Sequence, residues 1–266
     1  MAEGKRARAD QKEHGAWPPS RPCGASGGGA TAYQADREIF EWFMNSDTRA
    51  KRLISELVSD PARFAHEGKD YLLLQEYLYG LPKSTLIPLL VHSDPQVQQS
   101  AVFVASELGG DAASDLVAHI PAFDPYGDPH TQWAILEIFF LSTRERNGDY
   151  FVHLLKGLEC ETGPLHRLAM RLVSKANLQQ LHAGKRACRT AELTSAQHEF
   201  GIDRLLHRDI LRPEEVIHML ADEQQLLRTY GAIAASTLSG EHSNVIKIGK
   251  ASSDPDVSQF CRELSS

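Results

Sequence analysis

From Asp36 onward the apolar residues recur at intervals of three and four almost without interruption, and clear alternation of apolar and polar residues is absent. That spacing predicts α-helices throughout, because residues three and four apart share one face of a helix. The clearest instance is 96–110, "QVQQSAVFVASELGG", in which Val97, Ala101, Val104, Ala105 and Leu108 fall on one stripe. Ahead of it, "KSTLIPLLVH" (83–92) reads as a first apolar helix, with Ser93, Asp94 and Pro95 as the turn between the two. Asp94 is suited to cap the second helix, and Pro95 to its first turn, where the missing N–H has no intrahelical partner to lose. Gly109 and Gly110 are expected to end it.

The same two-helix unit is rewritten downstream. "AASDLVAHIPAF" leads through "DPYGDP" into "HTQWAILEIFFLS", and "GDYFVHLLKGLEC" leads through "ETGP" into "LHRLAMRLVSKA". A degraded copy follows at 177–207, then "RPEEVIHMLA" with "DEQQLLRTYGAIAASTL", and last "HSNVIKIGKA" with "SSDPDVSQFCREL". Pro95, Pro129 and Pro164 are 34 and 35 residues apart, and Ser-Asp-Pro-x-Val at 93–97 returns at 253–257 after five steps averaging 32. A helix pair of this size cannot bury its apolar stripe alone, so a fixed period implies stacking of each unit on its neighbours.

The signatures of ankyrin and tetratricopeptide repeats are missing. The unit "TLIPLLVHSDPQVQQSAVFVASELG" resembles instead the HEAT family in its short, HEAT-like form: an apolar first helix, an Asp-Pro-x-Val turn, a small-residue second helix and a closing Leu-Gly. The resemblance is close over 83–110, fair over 111–176 and 212–264, and weak over 177–211, and it departs from the family in the long turn "DPYGDPH" and the short period. It implies an all-α fold, an α-α superhelix of about six helix pairs whose second helices line a concave face. Residues 36–82 read as an N-terminal helical cap with the first helix pair. Their segment "YLLLQEYLYGLP" is similar to the lead-in of bacterial HEAT-like proteins found beside polymorphic toxins.

Composition narrows the use of such a scaffold. The chain has 266 residues, 42% of them hydrophobic, and a formal net charge of −7. An acidic balance disfavours nucleic acid as the main ligand and suits a basic protein partner. Residues 1–35, rich in Gly, Pro and polar residues, are expected as a disordered tail with a short basic cluster at Lys5, Arg6 and Arg8. Four scattered cysteines indicate neither disulfides nor zinc, and with no signal-peptide pattern the expected setting is the cytoplasm, as a monomer.

Candidate chemistry is sparse. His66-Glu67 and His198-Glu199 match the His-Glu pairs on which a HEAT-repeat hydroxylase family places di-iron ligands, but they sit in dissimilar contexts, and no metal or cofactor is expected. Cys188 has Lys185, Arg186 and Arg189 nearby, which would lower its thiol pKa if it were exposed. Those cations, with Arg167, Arg171 and Lys175, form the one basic region. They support the alternative reading, a DNA-glycosylase-like HEAT enzyme, although the body outside residues 1–36 carries −8. Aligning the second helices on their core stripes puts Gln99 and Phe103, then Trp133, Glu137 and Phe140, then Arg167 and Arg171 on one ridge. Aromatic and arginine side chains on a ridge are typical binding anchors. For Trp133 and Phe140, core packing remains an equal alternative. The expectation is a non-enzymatic module that binds another protein along this ridge, in its most concrete form a bacterial immunity protein masking a toxin.

Overall fold

A computed structural model describes residues 48–144, 146–189, 193–238 and 243–264. The expected tail and residues 36–47 of the cap lie outside the described residues. Among the described residues there are fifteen α-helices and no strand, so the fold is all-α. The cap segment supplies α1 (Thr48–Ser59), α2 (Pro61–His66) and α3 (Lys69–Leu78). A 3-10 turn at Lys83–Leu86 runs into α4 (Ile87–Leu90), followed by α5 (Pro95–Glu107), α6 (Gly110–Leu116) and α7 (Pro129–Ser142). Then come α8 (Phe151–Leu158), α9 (Pro164–Ser174), α10 (Leu178–Ala187) and α11 (Ser195–Leu206). The chain ends with α12 (Pro213–Leu220), α13 (Gln225–Ala235), α14 (Ser243–Lys250) and α15 (Pro255–Glu263). None of these is long and apolar enough to cross a membrane.

The Asp-Pro turns do what their chemistry predicts. The carboxylate of Asp94 accepts from Gln96 N at 2.8 Å, that of Asp128 from Thr131 N at 2.8 Å, and that of Asp254 from Asp256 N and Val257 N at 3.0 and 3.2 Å. Each satisfies an orphan donor of the helix start and contributes about 1 kcal/mol. A second regularity is hidden by the change of residue type. Three positions after the proline, the side chain bonds to the residue eight places earlier. Gln98 Nε2 donates to Leu90 O, Asp124 N donates to Gln132 Oε1, and Ser258 Oγ donates to Lys250 O, at 2.7–2.8 Å. The first and last of these bonds lock the second helix of a pair onto the end of the first, and the middle one ties α7 to the loop that precedes it. Between α5 and α6 the reversal is tighter than the sequence suggests. Gly109 adopts φ 85°, a left-handed conformation that favours glycine, and Gly110 begins α6 rather than ending α5.

Helices pair as α4/α5, α6/α7, α8/α9, α10/α11, α12/α13 and α14/α15, and the second helices pack in order as α5/α7 and α7/α9, then α11/α13 and α13/α15. Between α9 and α11 that order breaks. The unit with the weakest repeat pattern, α10/α11, packs to one side against α8 and α13, and α9 instead rests on α13 and α15. One cluster of buried side chains runs from Leu53 in α1 to Cys261 in α15. Burying apolar surface at roughly 25 cal/mol per Å2 is what holds the helices together.

Candidate functional site

The seven residues that the stripes put on one ridge have three kinds of surroundings. Gln99 and Phe103 on α5 and Trp133 and Glu137 on the adjacent α7 stay at the surface, Gln99 fully and the other three half-buried. Gln99 Nε2 donates to Asp128 Oδ2 at 3.0 Å. The Phe103 ring meets Tyr71 of α3 edge-to-face, with centroids 5.1 Å apart and planes at 76°. Burial holds the Glu137 carboxyl above its usual range and Glu107 adds to the effect, while a hydrogen bond from Trp133 and the charge of Lys175 oppose it. Phe140, at 7% exposure, belongs to the core.

Beside Gln99 and Phe103 lies a groove of about 400 Å3, walled by Pro61, Ala62 and Ala65 of α2, by Asp70 of α3, and by the N-terminal parts of α5 and α7 as far as Phe103 and Ala134. Its polar lining comes from Gln96, Gln99 and Ser100 of α5, His130 and Thr131 of α7, and Asp70. The Asp70 carboxyl is pushed up by burial, with the Ser100 hydroxyl beside it as a partial offset. Its Oδ1 is shielded from solvent and accepts no hydrogen bond. Asp70 was not singled out by the sequence, where "GKDYLLL" reads as an ordinary acidic first turn.

Arg167 and Arg171 on α9 are engaged by the chain itself. Arg167 Nη1 donates to Asp256 Oδ1 at 2.6 Å, and Arg171 Nε forms an ion pair with Glu263 Oε2 at 3.4 Å, both carboxylates being on α15. Asp256 is 1% exposed and accepts three bonds in all. Its Oδ2 takes Gly163 N at 2.6 Å and His166 Nδ1 at 2.8 Å. Because an ionised carboxylate only accepts, the His166 proton sits on Nδ1; in the neutral ring Nε2 then accepts from Thr229 Oγ1, 3.2 Å away. Gly163 stands where the other strong copies carry a capping aspartate, and no side chain of its own caps α9. A carboxylate from the far end of the chain occupies the positive end of this helix instead. Hydroxyl, imidazole and carboxylate are arranged as in nucleophilic catalysis, but Thr229, His166 and Asp256 are at 0, 0 and 1% exposure, so no substrate reaches them. They form a structural clamp.

The remaining candidates are likewise absorbed by packing. His198 is buried, with Nδ1 2.7 Å from Tyr230 Oη, and burial lowers its pKa against the opposing pull of Glu159. Its Nε2 lies 3.3 Å from Glu159 Oε1 but is not aligned for a hydrogen bond. That oxygen accepts from Thr194 N. His66, the other His-Glu member, is exposed on α2. Among the described residues no group of three or more His, Cys, Asp or Glu side chains could hold a metal ion. Cys188 is buried at the end of α10, where burial pushes its thiol up to about 11, so the nearby cations do not activate it. Of the basic region, Lys185 pairs with Asp203 and Arg189 with Glu199.

Comparisons with protein-family models, with curated proteins and with solved structures find no match for this chain.

Proposed function

We propose that the chain is a non-enzymatic binding module, a HEAT-like α-solenoid that engages another protein along the surface formed by α5 and α7. The observation that carries this reading is the groove beside Phe103 and Gln99, open at the surface, lined by apolar and polar groups together, with the half-buried Phe103 ring in its wall. An anchor inserted there would be largely desolvated, the condition under which a few residues dominate an interface. The carboxylates of Asp70, Asp128 and Glu137 give this half of the ridge an acidic character that suits a basic partner. A bacterial immunity protein that masks a toxin is the concrete form of this reading, supported by the similarity of residues 36–82 to toxin-associated HEAT-like proteins. The nucleic-acid reading gains nothing from the geometry, since Arg167, Arg171, Lys185 and Arg189 all face acidic partners within the chain.

The test is a binding titration against the protein encoded next to this chain. Saturable binding by the wild type, weakened at least about tenfold by Phe103→Ala with helicity unchanged, is the expected result. Equal binding by the two proteins would remove the ridge, and a salt-sensitive gel shift with duplex DNA would remove the protein-binding reading.

A further inference from the structure

We propose that the groove between α2, α5 and α7 is a receptor for one arginine side chain of the protein partner, its guanidinium stacked on Phe103 and paired with Asp70. This rests on the reading of α5 and α7 as the partner face and adds to it the chemistry of the anchor. The volume of about 400 Å3 suits a single extended side chain rather than a helix or a strand. Pro61, Ala62, Ala65 and Ala134 offer an apolar wall for the methylene stem. At the polar end stands the Asp70 carboxylate, and neither lysine nor arginine is among the lining residues.

Three details select the occupant. First, Asp70 Oδ1 is shielded yet accepts nothing, a costly state that a charged donor would relieve. The raised pKa of this carboxyl, caused by burial, is the same cost seen from the side of the proton. Second, Gln99 gives its N–H to Asp128, which leaves Oε1 as the acceptor. Third, Phe103 is held at a fixed tilt by Tyr71 and supplies a ring at the groove wall. A planar, weakly hydrated guanidinium both stacks on a ring and forks onto a carboxylate. A lysine ammonium is a compact, strongly hydrated charge that does only the second. An anion finds no lysine or arginine here and meets the Asp70 carboxylate. A divalent metal would have one carboxylate where it needs several hard oxygen ligands.

The experiment is an NMR titration of the full chain with N-acetyl-arginine methylamide, and in parallel with the lysine and citrulline counterparts. Citrulline keeps the shape and loses the charge. The arginine amide should shift signals of Gln96, Gln99, His130 and Thr131 saturably, with the citrulline amide weaker by about tenfold or more, as for loss of a charge-assisted pair. Asp70→Asn should cost a similar factor. If that variant fails to fold, the arginine–citrulline comparison on the wild type decides alone. Equal response to citrulline, or no shift at about 20 mM arginine amide, overturns the proposal. The two readings fail separately. Loss of partner binding in Phe103→Ala with no arginine response keeps the face and discards the arginine, whereas an arginine response with Phe103→Ala binding its partner normally discards the face.

Discussion

Removing the Asp256 carboxylate should damage this protein more than removing any other charge on its second helices. In Asp256→Ala, Gly163 N loses its acceptor at 2.6 Å and His166 Nδ1 loses its acceptor at 2.8 Å, with the imidazole still fully buried. Each buried donor left unpaired costs about 1–3 kcal/mol. Arg167 is 24% exposed and can swing part of its guanidinium into water, so its loss is smaller. The sum is about 3–5 kcal/mol, the range found when one partner of a buried pair is deleted. Set against a total of about 5–15 kcal/mol for a folded chain, that is severe. The internal control is Glu263→Ala on the same helix. Its pair with Arg171 is 41% and 40% exposed, and it should cost less than about 1 kcal/mol. Urea unfolding followed by far-UV circular dichroism gives both numbers. Hydrogen exchange should show the loss concentrated at the start of α9 and in α15. A cost below about 1 kcal/mol for Asp256→Ala, or one equal to that of Glu263→Ala, would show that the clamp is ornamental.

Two further outcomes follow from burial. His153, stacked on Phe139 at 4.2 Å, is pushed by burial from 6.5 down to about 4. Between those values the unfolded ring takes a proton that the folded ring refuses, so stability is full above about 6.5, falls as pH drops toward about 4, and loses on the order of 1–2 kcal/mol after solvent screening. Urea midpoints across that window should fall with decreasing pH and fall less in His153→Gln; a rise would reverse the sign. Cys188 and Cys261 are buried with thiols held near 11, and Cys160 is half-buried with the same shift, so iodoacetamide at neutral pH should leave the first two unlabelled and reach Cys160 slowly. Peptide mapping reads this, and rapid labelling of Cys188 would contradict its placement.

Helix content, turn positions and capping aspartates were legible in the sequence because each depends on residues within a few places of one another. Asp94, Asp128 and Asp254 cap the helices that the spacing marks out. The bonds made by Gln98, Gln132 and Ser258 obey the same period, but three residue types solving one problem leave no pattern to read. Gln99, Phe103, Trp133 and Glu137 stay out of the core, which a stripe argument can reach because the packing of α5 on α7 is local. Arg167 and Arg171 could not be placed that way. What they face is set by α15, about 90 residues on, and a helical wheel has no term for a distant helix. One trace of that contact was nevertheless present: Gly163 replaces the capping aspartate in an otherwise strong copy, which leaves a helix start in need of an outside anion. Asp70 was invisible for the opposite reason, because its first-turn position already explained it.

The bond between residues 163 and 256 also limits how many helix pairs can stand between α9 and α15. In an array whose units touch only their neighbours, one unit can be duplicated or deleted and the rest need not register the change. Here one more helix pair between α9 and α15 would carry Asp256 a full step away from the helix end it serves, and one fewer would bring it up short. Growth by duplication is therefore closed between these two residues and open only outside them, toward α1 or beyond α15. The count of units in the C-terminal half is written into a single carboxylate.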